Sequence, residues 1–210
     1  MNAVTARTRP TRPRRAPWMI AGAALLALGT AVLGAGAVHV YTTRPPQVAA
    51  QEGAGVANFN FRVTGIPVPG VVPGVRVQAR WRPAALSSTT ATVTLNLKAL
   101  DTGIALRDEH ARTFLGVPAH PTATFRLGTL EGAARVAPGQ VAHVTARGVL
   151  TLNGVSRDVR APTTLTLNSA GTTLDVKAEF GVTFADHGIS IPGADPTTDV
   201  QVRFRLPVTP

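Results

Sequence analysis

The residues of this chain that are able to do chemistry are few and do not gather into a known reactive pattern. Cysteine is absent, which removes a thiol nucleophile, disulfides and thiolate metal sites. His110, His120, His143 and His187 have no H-E-x-x-H or similar spacing, so a metal centre would have to be assembled by the fold alone. None of Ser87, Ser88, Ser156, Ser169 and Ser190 stands in a G-x-S-x-G elbow, and no P-loop or G-x-G-x-x-G cradle occurs. Asp108 and Glu109 are adjacent, and on a helix neighbours point different ways, which is poor geometry for acid/base work. We therefore expect no enzyme, no catalytic residue, no metal and no cofactor. What is left is the basic group Arg107, His110 and Arg112. An arginine fork suits a phosphate or carbonyl oxygen. The plainer alternative is that the arginines and Asp108 cap and brace a helix while His110 is a hydrogen-bonded core residue.

The elements that must position these residues follow a period of two. Ala57, Phe59, Phe61 and Val63 alternate with Asn58, Asn60 and Arg62, and Val75, Val77, Ala79 and Trp81 alternate with Arg76, Gln78 and Arg80. The pattern recurs at Ala91–Leu97, Ala123–Leu127, Val144–Leu150, Val159–Leu167, Leu174–Val182 and Val200–Leu206. That makes eight strands with one wet face each. Asn153-Gly154 between two such runs predicts a two-residue hairpin, because both turn positions need positive φ; Ser169-Ala170-Gly171 predicts a looser one.

Two segments break the alternation. Leu106, His110 and Phe114 lie four apart with Ala111 and Leu115 beside them, which predicts a short helix ended by Gly116 and Pro118. Residues 65–74 carry Pro67, Pro69 and Pro73 among glycines and valines. Prolines cannot give ladder hydrogen bonds, so this stretch is expected to be a loop or an irregular edge, a candidate rim or lid.

Eight one-sided antiparallel strands have two edges to hide, and closing the sheet into a barrel hides both, with a two-sheet sandwich as the alternative. An eight-stranded barrel is at the size where side chains either just fill the interior or leave room for one small ligand. The inward set is mostly Val, Leu and Ala, with Phe59, Phe61, Trp81, Phe125, Phe180 and Phe204 as its large members. That filling is thin for an interior that packs near 0.74 density, and an empty apolar void is costly. The expected lumen wall is Phe59, Phe61, Val77, Trp81, Leu95, Phe125, Val176, Phe180, Val202 and Phe204, holding an apolar, chain-like lipid. Each buried methylene of such a ligand is worth roughly 0.8 kcal/mol. The alternative is a barrel whose side chains meet, acting through its surface as an envelope stress or interaction module.

The formal charge of +10 is lopsided: six arginines, Arg7 to Arg44, precede the first acid, Glu52, leaving fifteen bases against eleven acids afterwards. That balance, with no run of bases interleaved with aromatics, predicts no nucleic-acid partner. From Trp18 to Val38 there is no charge, and as a helix this stretch crosses roughly 30 Å, one bilayer. Five arginines precede it and Arg44 follows, so the positive-inside bias sends the rest of the chain outside. A cleaved signal peptide, with Ala35-Gly36-Ala37 as the cleavage site, is the alternative.

Leu100-Asp101-Thr102-Gly103, Arg107-Asp108-Glu109-His110-Ala111-Arg112, Phe114-Leu115-Gly116-Val117-Pro118-Ala119-His120-Pro121 and Ala123-Thr124-Phe125 resemble, in order and spacing, the central signature of the YceI-like family of periplasmic polyisoprenoid-binding proteins. Gly148-Val149-Leu150-Thr151-Leu152-Asn153-Gly154-Val155-Ser156-Arg157-Asp158-Val159 resembles its "G-x-L-T-I-x-G-V-T-x-x-V" hairpin, and Phe184-Ala185-Asp186-His187-Gly188-Ile189 its "R-S-D-F-G-I" turn. The resemblance implies an all-β, eight-stranded antiparallel, lipocalin-like barrel with one short helix, a lengthwise tunnel for an isoprenoid or other amphiphilic lipid, and no catalysis. The chain departs from the family in the Pro/Gly stretch at 65–74, in His187 where the family has Phe, and in its anchor-like N-terminus. His187 thus joins Arg107, His110 and Arg112 as candidate mouth or head-group residues. The expected organisation is a basic cytoplasmic tail over 1–17, a transmembrane signal-anchor over 18–41, a linker over 42–55 and the lipid-binding barrel over 56–208. Its partners are a lipid ligand, polyprenyl or quinone-like, and the membrane, with a homodimer as a further assembly option. The barrel is expected on the periplasmic face of the cell envelope.

Overall fold

The computed structural model describes residues 49–208, and the expected tail, anchor and first part of the linker lie outside them. Eight strands and one α-helix run in the order β1 (Gln51–Val63), β2 (Ile66–Arg80), β3 (Thr90–Asn96), α1 (Ala105–Phe114), β4 (Thr122–Gly132), β5 (Val141–Leu152), β6 (Val155–Leu167), β7 (Thr173–Thr183) and β8 (Thr197–Pro207). Each strand pairs antiparallel with the next, and β8 returns to β1 through Ala54↔Arg205 to Asn60↔Asp199, closing the barrel. The ring of pairings has no terminal strand, which answers the choice between barrel and sandwich. Among the described residues no helix is long and apolar enough to cross a membrane.

Two expectations need correction. β1 starts at Gln51 rather than near Val56, so the end of the expected linker is already strand. The Pro/Gly stretch is not a loop: it forms the first half of β2, laddered to β1 from Val63↔Ile66 to Val56↔Pro73. The physical reason is parity. Val71 turns its N–H and C=O away from β1 to Asp101, at 2.8 and 2.9 Å, and Pro67, Pro69 and Pro73 share its parity. Their missing donors therefore face the side where β2 has no strand partner, since β3 pairs only with Arg76 to Arg80.

A bulge then resets the phase of β2. Gly55 opposes Val75 while Val56 opposes Pro73, leaving Gly74 unpaired at φ +68°. Inward residues are Val68 and Val72 before it and Val75, Val77, Ala79 and Trp81 after it, all buried. β4 repeats the device at Gly128, after which Leu130 rather than an odd-numbered residue faces inward. Asn153 and Gly154 form the predicted turn, with φ of 50° and 73°, and Thr64-Gly65 makes a second of the same kind between β1 and β2.

One end of the barrel is closed by two loops that hydrogen-bond to each other, Leu86 N–H to Ala134 O and Val136 N–H to Pro83 O, both at 2.9 Å. Leu86 and Val136 are buried there. At the opposite end α1 lies across the barrel beside the 153–154 turn. At Gly74, in the bulge of β2, the left-handed backbone alone is demanding, since a Cβ at that position meets no atom within 4 Å. Gly74→Val is therefore expected to cost about 1–2 kcal/mol through backbone strain alone, read as a lower urea midpoint with an unchanged slope.

Candidate functional site

The inward faces of all eight strands bound one cavity of about 210 Å³. Its wall follows β8 from Thr198 through Val200, Val202 and Phe204 to Leu206, and β7 from Leu174 to Val182. Eight rises of roughly 3.3 Å make a path of about 26 Å, so the apolar lining runs along most of both strands. No charged side chain lines it, and no polar atom opens into it. Thr163 donates its hydroxyl to Ala161 O at 2.9 Å and Thr198 to Asn60 O at 3.1 Å, which turns both polar groups into the wall. A dry apolar void of about 150 Å³ is large enough for one benzene, and this one is larger.

Of the ten residues expected on the wall, Phe59, Phe61, Trp81, Leu95, Phe125, Val176, Phe180, Val202 and Phe204 line the cavity. Val77 does not. It is fully buried in the core without reaching the cavity surface. Sequence reasoning missed the contributions of α1 and the loops, Leu97, Leu100, Ala111, Leu115, Phe184 and Ile191.

Two features keep the lumen open. Phe59 lies across from Gly70 on the neighbouring strand, and a Cβ on Gly70 would collide with its ring. A Cβ on Gly148 would likewise meet the ring of Phe125 as well as Arg126 O. The glycines thus let two aromatic rings lie against the sheet instead of projecting into the space. Phe59 stacks on Phe61 with centroids 6.2 Å apart, and Phe61 meets Phe184 edge-on at 6.0 Å, an arrangement that also holds the rings to one side.

The helix turns the opposite way from its sequence pattern. Ala111 and Leu115 face the cavity, while Leu106 (63% exposed), His110 and Phe114 (40%) face solvent. Small Ala111 lets the backbone sit close over the barrel end. None of Arg107, His110, Arg112 and His187 lines the cavity. Arg107 donates to Thr102, from Nε to the hydroxyl at 2.9 Å and from its terminal nitrogen to the carbonyl. Arg112 donates to Leu100 O at 3.0 Å. His187 is buried with Nδ1 3.0 Å from Val155 O, and Asn153 donates to His187 O at 3.1 Å. The two arginines and His187 fasten α1 and the neighbouring turns to the barrel.

Asp108 completes that fastening, accepting from Thr102 N–H at 2.6 Å and from the Thr102 hydroxyl at 2.5 Å. The hydroxyl first, and then the Thr102 N–H with Arg112 and Arg107 nearby, hold its carboxyl below the usual carboxylate range against a smaller opposing effect of burial. Among the described residues no group of His, Asp and Glu side chains is arranged to hold a metal ion.

A closed antiparallel β-barrel with a carbon-lined lumen is the class of protein that this fold and site define. Residues 49–208 match the YceI-like domain family, and the chain belongs to it. No curated protein sequence matches the chain. Several solved structures share the fold. BcnA of Burkholderia cenocepacia is 20% identical, with a TM-score of 0.60 over 74% of this chain and 96% of its own. A polyisoprenoid-binding domain from Saccharophagus degradans, implicated in plant cell wall breakdown, is 16% identical, with a TM-score of 0.62 over 78% and 100%. The Campylobacter jejuni YceI protein is 16% identical, with a TM-score of 0.55 over 68% and 86%.

Two outcomes follow from this geometry. Gly70→Ala is expected to push the Phe59 ring into the lumen and weaken uptake of the fluorophore N-phenyl-1-naphthylamine about tenfold, the scale of overfilling a packed interior by 1–3 kcal/mol. Adding Phe59→Ala to that chain should restore uptake, and fluorescence titration of both variants checks it. Because the Asp108 carboxyl is held down in the fold, its contribution to stability is full above the unfolded value of about 3.9 and is lost as pH falls through the folded value. Asp108→Asn should therefore lower Tm at pH 7 and match the parent chain at the acid end of a Tm-against-pH series.

Proposed function

We propose that this protein binds a single apolar, chain-like lipid of isoprenoid type, polyprenyl or quinone-like, lengthwise inside its barrel. The carbon-only cavity running the length of two neighbouring strands carries this proposal. Such a surface offers a ligand dispersion contacts and release from water and nothing else. Membership of the YceI-like family and the fold shared with a polyisoprenoid-binding domain support the same ligand class. The wall provides no charged side chain, histidine or serine, so the proposed role is binding and delivery without chemistry on the ligand and without a cofactor.

The uncharged stretch at 18–38 and the five arginines before it support an anchored barrel on the extracytoplasmic side of the membrane. There it would hold a lipid that is nearly insoluble in the surrounding water, moving it between apolar environments. Extraction of the full-length, natively expressed protein with organic solvent, followed by mass spectrometry, is expected to release one lipid per chain. A clean extract would overturn the proposal. Val176→Trp or Phe125→Trp, each filling the lumen from the wall, should cut the bound lipid at least tenfold while the far-ultraviolet dichroism stays that of the parent barrel.

A further inference from the structure

The cavity is carbon-lined, yet three unpaired buried polar atoms lie toward its closed end. Trp81 Nε1, Gln51 Oε1 and Thr89 Oγ1 have no hydrogen-bond partner. Trp81 and Gln51 are each 4% exposed, and Trp81 and Thr89 form part of the cavity wall. The sheet brings the three to the same end of three consecutive strands. Gln51 pairs with Ala79 and Ala79 with Ala91, while Trp81 and Thr89 stand two residues beyond those alanines on the same face. An unmet buried donor or acceptor costs about 1–3 kcal/mol, and native proteins leave few of them. Three at one end of a barrel whose wall otherwise turns its polar atoms away mark that end as the place where a ligand's polar group finds partners.

We infer that the closed end of the barrel is a head-group site, formed by Trp81, Thr89 and Gln51, for the uncharged hydroxyl or carbonyl end of the lipid. This rests on the lipid-binding proposal and narrows its substrate class. The indole N–H can only donate, the Gln51 oxygen only accept, and the Thr89 hydroxyl can do either. A hydroxyl satisfies all three roles, and a carbonyl satisfies two. An ionised phosphate does not fit: no charged side chain lines the cavity, and a charge taken from water into such a lining is neutralised or excluded. Trp81 and Thr89 line the cavity and Gln51 stands on the neighbouring strand, so the head group sits at this end while its tail extends toward α1. Arg107 and Arg112, engaged with Thr102 and Leu100, are left as braces of the helix.

The test uses the full chain and three probes that differ only in their head: farnesol, the matching hydrocarbon without the hydroxyl, and farnesyl diphosphate, each displacing N-phenyl-1-naphthylamine. Farnesol is expected to bind about tenfold more tightly than the hydrocarbon, the scale of one to two net hydrogen bonds, and the diphosphate more weakly than farnesol. Trp81→Phe and, separately, Thr89→Val should each bring the ratio of alcohol to hydrocarbon affinity, measured within the same variant, down toward one. Thr89→Val is nearly isosteric, so it stands if Trp81→Phe fails to fold. Equal binding of alcohol and hydrocarbon, a preference that survives both substitutions, or diphosphate binding as tight as that of farnesol would overturn the head-group site while leaving lipid binding in place. Binding of none of the three would overturn the lipid-binding proposal and this inference with it.

Discussion

Closure of the sheet is the constraint from which the rest follows. Once β8 pairs with β1, every inward side chain of eight strands shares one interior, and the volume of those side chains alone decides whether the interior is solid. Here it is composed chiefly of Val, Leu and Ala, with its aromatic rings held against the wall. A ring such as Phe59 covers Gly70 and adds apolar surface without adding an obstruction. The lumen is therefore a consequence of where glycine stands opposite phenylalanine as much as of overall composition.

Both bulges serve the same end. A strand that crosses a tilted, strongly twisted barrel must keep its apolar residues inward while its direction changes, and one extra residue bends the strand and shifts the phase. Gly74 does this in β2 and Gly128 in β4. In β2 the shift also reconciles two kinds of sequence: a proline-bearing half, tolerated because its missing donors face an unpaired side, and a regular half that carries Trp81 to the closed end. The two barrel ends are accordingly built differently. One is sealed by two mutually bonded loops, and the other is covered by a helix held through Asp108, Arg107 and Arg112 to the Thr102 segment and Leu100.

Much of this was legible beforehand, for a definite reason. Alternation of apolar and polar residues is a local signal, so all eight strands, the Asn153-Gly154 turn and the existence of α1 could be read directly. So could nine of the ten proposed wall residues, because inward parity follows from the same alternation. The orientation of α1 could not. Leu106, His110 and Phe114 make as good a stripe as Ala111 and Leu115, and only the room over the barrel end selects the smaller pair. Residues 65–74 misled for a related reason: whether a proline is tolerated depends on what lies across from it, and that partner is not encoded nearby.

The sequence by itself determined the number of strands, the face each turns inward and the kinship with the YceI-like family, since these rest on spacing between near neighbours and on contiguous motifs. Tertiary structure decided which strand pairs close the ring, that Arg107 and Arg112 brace a helix instead of lining the cavity, and that Gln51, Trp81 and Thr89 come to the same end of the barrel. Those outcomes depend on contacts between residues tens of positions apart, and a hydrogen bond found or left unmade exists only once the chain has brought its two halves to the same place.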